Sequence, residues 1–444
     1  MKNLSRLLLG VFCVFGFAGG LLAKSGGPEI RLNVGLDHGL LISGETSKAY
    51  LKVGLLPERG DFEVDRTPIR VAIVLDRSGS MGTDKMETAK KAVIQAVRLL
   101  YPNDHVSVIA YDDKVEVVVP MTRKSKLEVF ESKVRSIQAR GSTAIYAGVN
   151  EAANELRKVL SDTSVNRVLL LSDGLANVGP QTPGDFDRLG RALQSEGISV
   201  STVGLGIDYN EDLMTSLSGA GEGNAYFAEG TADLPRIFEN EIGSSAAIVA
   251  RDAKVEVLFA KGVKPIRIMG RSGSVTGDTV SFELKNLFLG DEKYALIEVE
   301  VDGRASGSEI SLARVRAKYR DFENRGGEVY RDSVMVGFTG DVEEQERSVD
   351  LGVQREVVRI QIAEARERAI ELADAGREKE AADYVQQTWE SVAQQNSAWG
   401  DEEIANQNIE LQMQVADLQN EGMSKKNRKA LRRDAYSSLN QTKK

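Results

Sequence analysis

The chain is poor in the side chains on which much enzyme chemistry depends. Its 444 residues include one cysteine, Cys13, and two histidines, His38 and His105. Zinc clusters need several Cys or His ligands, thiol catalysis needs a reactive cysteine, and most hydrolytic triads need a histidine. The composition therefore argues against these three kinds of site, and we expect both histidines to be structural.

Basic residues are also fewer than acidic ones. The chain has 57 Lys and Arg against 66 Asp and Glu, a formal net charge of −9. An acidic surface repels a phosphate backbone, so we expect no nucleic-acid partner. With 41% hydrophobic and 28% charged residues the composition is that of a globular protein, and the length predicts about three domains.

The first 23 residues have the layout of a secretory signal peptide. Lys2 and Arg6 precede an apolar stretch that runs to Phe17, and small residues follow. Cys13 lies within the apolar stretch, so the mature chain has no cysteine and no disulfide. We therefore expect an exported protein that is periplasmic, cell-surface or extracellular. Retention of the segment as a membrane anchor is the alternative, although the stretch is short for a span.

Residues 67–245 have the pattern of an α/β domain. Short apolar runs alternate with amphipathic segments of helical period, which predicts a doubly wound, mostly parallel sheet covered on both faces. One connection differs, because only three residues separate Tyr111 from Val115. That distance is too short for a crossover helix, so we expect Val115 to begin an antiparallel edge strand.

The flanks of this domain have strand patterns. Apolar residues alternate in residues 24–66, as at Ile30, Leu32 and Val34, and again in residues 246–340. The first flank is too short to bury a core alone. We therefore predict one antiparallel β-sandwich, built from both flanks, into which the α/β domain is inserted.

Residues 341–444 are predicted to be an α-helical C-terminal region. Asp374, Ala375 and Gly376 mark a turn between two helices, as in the hairpin of a helical repeat. A basic tail follows, with six Lys and Arg between Lys425 and Arg433. Two interpretations of the tail stay open: a solvated helix face, which we favour, and contact with a membrane surface or a cell-wall polymer.

The candidate site consists of hydroxyl and carboxylate side chains at the ends of predicted strands. Asp76, Ser78 and Ser80 follow the first strand of the α/β domain, and Asp173 ends a later one. Thr143 precedes a helix at what we expect to be the same sheet edge. Ligands bind at this edge where the strand order reverses, and hard oxygen donors suit Mg²⁺, Mn²⁺ or Ca²⁺. Other carboxylates have ordinary structural explanations: Asp112 and Asp113 as turn formers, Asp208, Glu211 and Asp212 as a loop and helix start.

These five residues together resemble the metal-ion-dependent adhesion site of von Willebrand factor type A (VWA) domains. The matching segments are DRSGSMG, GST and LLLSDG, within about residues 69–242. The resemblance is greatest to secreted bacterial members and is distant to the inter-alpha-trypsin inhibitor heavy chains. It implies that the Ser and Thr hydroxyls ligate the cation directly and the two Asp mainly through water. A carboxylate of a protein ligand then completes the metal's shell.

Three functions are compatible with the sequence. The favoured one is an exported, metal-dependent adhesion or scaffold protein that binds a partner's Asp or Glu. The others are an envelope transport or channel-associated subunit and, less favoured, a metal-dependent hydrolase. Because the motif fixes no general base beside the site, we expect the protein not to be an enzyme.

Overall fold

In a computed structural model, the described residues are 29–58, 66–124, 127–243, 248–321 and 326–441. The predicted signal peptide, residues 1–23, lies outside this set. In the described ranges, no helix is both long and apolar enough to cross a membrane.

The first three strands precede the α/β domain, which then forms the predicted doubly wound sheet. The leading strands are β1 (Glu29–Leu36), β2 (Leu40–Ile42) and β3 (Ser47–Glu58). The α/β strands are β4 (Ile69–Asp76), β5 (His105–Tyr111), β6 (Val115–Arg123), β7 (Val165–Ser172), β8 (Ile198–Leu205) and β9 (Glu222–Ala228). Its helices are α1 (Gly82–Leu99), α2 (Leu127–Arg135), α3 (Ile145–Arg157), α4 (Pro183–Ser195), α5 (Glu211–Ala220) and α6 (Leu234–Gly243). The strand order is β6-β5-β4-β7-β8-β9, and β6 runs antiparallel to β5 as predicted.

The two faces of this sheet bury separate cores. Ile73 and Leu75 of β4 pack in the core that α1 and α6 cover. The alternate residues Ala72 and Val74 pack in the core that α3, α4 and α5 cover. A strand that is buried on both faces has an apolar side chain at nearly every position, which explains the continuous apolar run in the sequence.

Both flanks join in the predicted β-sandwich. The strands after the α/β domain are β10 (Ile248–Phe259), β11 (Val263–Met269), β12 (Gly273–Thr276), β13 (Thr279–Phe288), β14 (Lys293–Val301), β15 (Glu309–Asp321) and β16 (Gly326–Thr339). One sheet has the order β1-β3-β14-β11 and the other β12-β13-β10-β15-β16-β2. A single core joins them, with Leu51 and Val53 of β3 and Val255 and Val257 of β10 among its residues. The α/β domain therefore lies in the chain between β3 and β10, and the predicted insertion is confirmed.

The sandwich differs from the prediction in one pairing. Strand β2 pairs with β16 in parallel, through Leu40–Ile42, whereas we expected only antiparallel strands. Strand β2 has three residues and is not joined to β16 by a hairpin. The connection therefore does not require the two strands to run antiparallel.

The C-terminal region is helical, as predicted. Its helices are α7 (Val342–Arg347), α8 (Leu351–Asp374), α9 (Glu378–Trp399), α10 (Glu402–Glu421) and α11 (Lys425–Leu439). Helices α8 and α9 form the expected hairpin, and its turn contains Gly376 with a φ of +74°. Val353, Val357 and Ile360 of α8 pack on Met269 and Leu296 of the sandwich. The helical region is thus joined to the sandwich through an apolar contact.

The basic helix α11 is not the solvated face that we favoured from sequence. Lys429 is 3% exposed and pairs with Glu211 of the α/β domain. Arg428 pairs with Glu211 at 2.5 Å and with Asp212 at 2.7 Å. The Tyr436 hydroxyl donates to the Gly223 carbonyl of edge strand β9 at 2.8 Å. Much of the basic charge is therefore used within the chain, where it joins the helical region to the α/β domain.

Candidate metal centre

The five predicted side chains lie at one edge of the parallel sheet. Asp76 is the last residue of β4, and Asp173 directly follows β7. These two strands pair in parallel, with Leu75 opposite Leu171, so their carboxyl ends meet. Ser78 and Ser80 lie in the turn between β4 and α1, and Thr143 lies just before α3.

The hydroxyl groups converge on one small space. The Ser78 and Ser80 Oγ atoms are 3.0 Å apart, and the Ser80 hydroxyl donates to Asp173 Oδ1 at 2.7 Å. A Cβ placed on Gly174 would lie 3.4 Å from Ser80 Oγ, 3.5 Å from Thr143 Oγ1 and 4.0 Å from Ser78 Oγ. The three hydroxyl oxygens thus lie around one point beside Gly174.

Asp76 is held rigidly below these hydroxyls. It is fully buried, and its Oδ1 accepts the Ser78 N–H at 2.8 Å. Its Oδ2 accepts the Ser172 hydroxyl at 2.6 Å and the Tyr111 hydroxyl at 3.2 Å. Burial raises the pKa of Asp76, and the nearby charge of Asp173 adds to this shift. A buried carboxylate is costly even when it accepts hydrogen bonds, so a cation beside Asp76 would stabilise its charged form.

One protein cation reaches the site. Lys85, near the start of α1, places its Nζ 2.6 Å from Asp173 Oδ2. The Asp173 side chain is fully buried, whereas the Lys85 side chain is 41% exposed. The Lys85 ammonium at the rim thus pairs with the buried carboxylate of Asp173.

The loop that carries Thr143 is fixed by backbone contacts. Arg140 N–H donates to the Arg77 carbonyl at 2.6 Å, and Thr143 N–H donates to Asn177 Oδ1 at 2.7 Å. Asp112, which we predicted to be a turn former, accepts the Lys114 N–H at 2.7 Å. It also accepts Nε–H bonds from Arg77 and Arg140, each at 2.9 Å. Its side chain therefore ties three segments of the rim together as well as forming the turn.

Sequence reasoning missed the supporting residues Ser172, Tyr111, Lys85 and Asn177. A signal for two of them is present in the strand alignment. Tyr111 lies opposite Asp76 in the register of β4 and β5, and Ser172 precedes Asp173 at the end of β7. Aligning the predicted strand ends would therefore have placed both hydroxyls beside the buried Asp76.

The donor set fits a hard divalent cation. It offers three neutral hydroxyl oxygens and two carboxylates, the oxygen ligands that Mg²⁺, Mn²⁺ and Ca²⁺ prefer. No group of three or more His, Cys, Asp or Glu side chains that could hold a metal occurs in the described ranges.

The domain is of the doubly wound α/β class, and it carries hydroxyls and carboxylates suited to a cation at the end of its central strand, β4. Residues 71–240 match the family model of the von Willebrand factor type A domain. This part of the chain is a VWA domain, and VWA domains commonly bind a divalent metal at such a site.

Relatives of the chain include proteins of bacteria and animals. An uncharacterized protein of Synechocystis sp. is 24% identical over 64% of this chain and 69% of its own length. Inter-alpha-trypsin inhibitor heavy chain H2 of Homo sapiens is 27% identical over 41% of this chain and 20% of its own length. The expected relationship to the heavy chains is confirmed, although this chain spans only a fifth of that protein.

The fold extends beyond the VWA domain in a solved structure. The von Willebrand factor type A protein from Catenulispora acidiphila has a TM-score of 0.63 and 18% sequence identity. The match covers 85% of this chain and 89% of that one. At this identity the likeness concerns the fold alone.

Proposed function

We propose that the chain is an exported protein-binding protein whose VWA domain recognises a partner's Asp or Glu carboxylate through a divalent cation. The observation that carries the proposal is the convergence of the Ser78, Ser80 and Thr143 hydroxyls beside two buried carboxylates. The VWA relatives support an interaction or adhesion role in general. Export rests on the signal-like residues 1–23.

The charge of the donor set explains the choice of partner. Neutral hydroxyls would reduce the charge of a bound Mg²⁺ less than carboxylates do, so the ion would stay attractive to an anionic sixth ligand. In a chain of net charge −9, this ion would be a local positive point. A partner carboxylate would then gain a short, poorly screened contact at one defined position.

Replacing Asp76 tests the metal site. We expect Asp76→Ala to abolish the heat of Mg²⁺ binding in isothermal titration, because a buried negative charge that faces the cation is lost. The variant should remain folded, because removing the carboxylate also removes the free-energy cost of burying its charge. Asp187→Ala, which changes a 39% exposed side chain on α4, is the matched control and should bind Mg²⁺ like the wild type. Equal Mg²⁺ affinity in the wild type and Asp76→Ala would refute the assignment.

The Ser172→Ala variant tests whether the Ser172 hydroxyl helps to orient the Asp76 carboxylate. This change removes the 2.6 Å hydrogen bond to Asp76 Oδ2 while the five proposed metal-site residues stay in place. Losing an outer-shell partner typically costs about 10- to 100-fold in metal affinity, and we expect a decrease of that size for Mg²⁺ by titration. Unchanged affinity would show that Tyr111 and the Ser78 N–H suffice to orient the carboxylate.

Partner dependence is tested by affinity capture. Immobilised mature chain should retain partners from the exported fraction of its source in Mg²⁺ and release them in EDTA. Asp76→Ala should retain none of the EDTA-released partners. Partners that stay bound in EDTA, or that bind Asp76→Ala equally, would place the docking surface elsewhere.

A further inference from the structure

A large cleft lies between the VWA domain and the β-sandwich, far from the candidate metal centre. Its volume is about 1700 Å³. The amino ends of β7 and β8, the start of β9, and residues of β10 and β13 line it, whereas Asp76 and Asp173 lie at the carboxyl ends of the same parallel sheet. Since β7 runs from Val165 to Ser172, the two places are about 23 Å apart along this strand.

Contacts between the three parts of the chain fix the walls of this cleft. Arg251 of β10 donates to the Ser164 carbonyl of the VWA domain at 3.0 Å. Just after α11, the Gln441 Nε2–H donates to the Tyr294 carbonyl of the sandwich at 2.9 Å, while Tyr436 of α11 binds edge strand β9. The helical region thus bridges the two walls, and a fixed cleft loses little conformational entropy when a ligand binds.

Backbone strain is concentrated at the cleft. Among the described residues, the non-glycine residues with a positive φ are Glu222 at +51°, Asp252 at +49° and Gln441 at +53°. All three line the cleft, although they belong to the VWA domain, the sandwich and the C-terminal region. Such conformations persist where the surrounding structure fixes them, and they cluster at functional sites. Their concentration in one cavity therefore points to a ligand site.

Two guanidinium groups in the cleft lack a counter-ion. Eight Lys and Arg side chains line it, and six of them form ion pairs with Asp or Glu. Among the described residues, the other two, Arg251 and Arg271, form none. Arg251 Nε is buried without a hydrogen-bond partner, and Arg271 Nε–H donates to the Tyr294 carbonyl at 3.3 Å. Burial lowers the pKa of both groups, as expected of cations that lose hydration without gaining an anion.

The two arginines face one part of the cleft. Arg251 lies on β10, opposite Asn286 of β13, and Arg271 lies two residues before β12, which pairs with the other side of β13. Residues 284–286 of β13 line the cleft between them. Glu222 interacts electrostatically with both Arg271 and Asp252, and Asp252 interacts with Arg251. A ligand over this end of β13 is thus within reach of both guanidinium groups.

We infer that the cleft is a second ligand site, which binds a phosphate or sulfate group through Arg251 and Arg271. Two unpaired positive charges match one tetrahedral dianion, whereas a carboxylate would neutralise only one of them. A guanidinium group donates two parallel N–H bonds to such an oxyanion. The cleft is larger than most small-molecule sites, which measure about 300–1000 Å³, so it has room for the rest of a phosphate or sulfate ester.

Glu222, on the opposite wall, makes this site pH-dependent. The cleft removes part of its hydration, which raises the pKa of Glu222 to about 7; Lys285 and Arg271 oppose the shift, and Asp252 and Glu283 add to it. Below this pH the side chain becomes neutral and no longer repels an anion. Sulfate keeps its charge throughout, so its affinity should be higher at pH 6 than at pH 8. Glu222→Gln should bind sulfate equally at both.

Isothermal titration of the full-length mature chain with sodium sulfate, in EDTA and at constant ionic strength, tests the site. EDTA keeps cations out of the metal centre, so sulfate cannot bind to a metal there. We expect saturable binding to the wild type. Arg251→Gln and Arg271→Gln should each lose roughly 10- to 100-fold in affinity, which is the contribution of a hydrogen bond between charged groups. Arg347→Gln, which changes an exposed arginine on α7, is the matched control and should bind like the wild type.

Two further measurements define the ligand and its place. Inorganic phosphate, glucose 6-phosphate and glucose 6-sulfate are titrated in the same way. Tighter binding of an ester than of its free anion identifies an ester ligand, and the reverse order identifies the free anion; both support the oxyanion site. Labelling of the wild type with phenylglyoxal, followed by mass spectrometry, locates the bound anion. Sulfate should protect Arg251 and Arg271 from labelling but not Arg347.

Three results would overturn the inference. The first is the absence of saturable sulfate binding, or equal affinity in the wild type and both arginine variants. The second is labelling of Arg251 and Arg271 that sulfate does not change, and this test needs no variant to fold. The third is equal wild-type affinity at pH 6 and pH 8, since the anion would then lie away from Glu222.

Discussion

Deleting residues 29–58 should make the chain aggregate. Strand β3 lies between β1 and β14 in the four-stranded sheet, so the deletion exposes one whole edge of β14. It also removes the core side chains Leu51, Val53 and Leu55, each at most 1% exposed. Losing one such side chain costs about 2–5 kcal/mol, and a domain's net stability is about 5–15 kcal/mol. The loss of three, about 6–15 kcal/mol, is as large as that whole stability, and an unpaired β14 edge favours intermolecular pairing.

Size-exclusion chromatography with light scattering measures the outcome. The informative control is a fragment spanning residues 67–245, which we expect to be a soluble, folded monomer. Its two cores are formed by residues of the VWA domain itself, so it does not need the sandwich for burial. If the deleted chain proved as soluble and as heat-stable as the mature protein, the two flanks would not share one core.

The second large effect concerns the buried ion pair between the VWA domain and α11. We expect Glu211→Gln to reduce the stability of α11 docking by about 3–5 kcal/mol, because Lys429 would remain buried without its carboxylate. Only the Tyr209 carbonyl at 2.8 Å and the Tyr209 ring at 4.2 Å would still face the ammonium. Hydrogen exchange of residues 425–439 should accelerate by roughly two to four orders of magnitude.

Two further variants separate the buried pair from general charge effects. Asp208→Asn removes the ion pair with Lys425, whose two side chains are 73% and 72% exposed. The opening free energy of α11 from hydrogen exchange should then change by less than about 1 kcal/mol. Glu211→Gln combined with Lys429→Met should recover much of the protection, because no unpaired charge stays buried. Equal exchange in the wild type and Glu211→Gln would mean that the other contacts of α11, such as Tyr436 with Gly223 and Arg428 with Asp212, suffice to hold it.

The VWA domain was predictable because its signals are local. Apolar runs separated by amphipathic helices predict the parallel sheet, and the three residues between Tyr111 and Val115 predict the antiparallel edge strand. The five candidate site residues were found because each stands at the end of a strand or the start of a helix. Their joint position then follows from parallel pairing.

Features that depend on distant partners were not predictable. Lys429 and Glu211 are 218 residues apart, so the basic pattern of α11 alone gave no indication that its charges would be buried. Strands β11 and β12 lie in the flank predicted to form strands, but their own patterns are weak. Pro265 interrupts β11, and all four residues of β12 are exposed, so neither strand has the apolar alternation of a half-buried strand.

The inserted arrangement imposes a delay during synthesis. Strand β3 must pair with β14, and the contact of Lys52 with Glu292 joins residues 240 positions apart. At about 5–20 residues per second, a ribosome needs roughly 10–50 s to make the intervening chain. For that time β3 has no β14 to pair with, while the complete VWA sequence emerges. A cell that makes this protein must therefore keep β3 from pairing with other strands until β14 has been made and the sandwich can close.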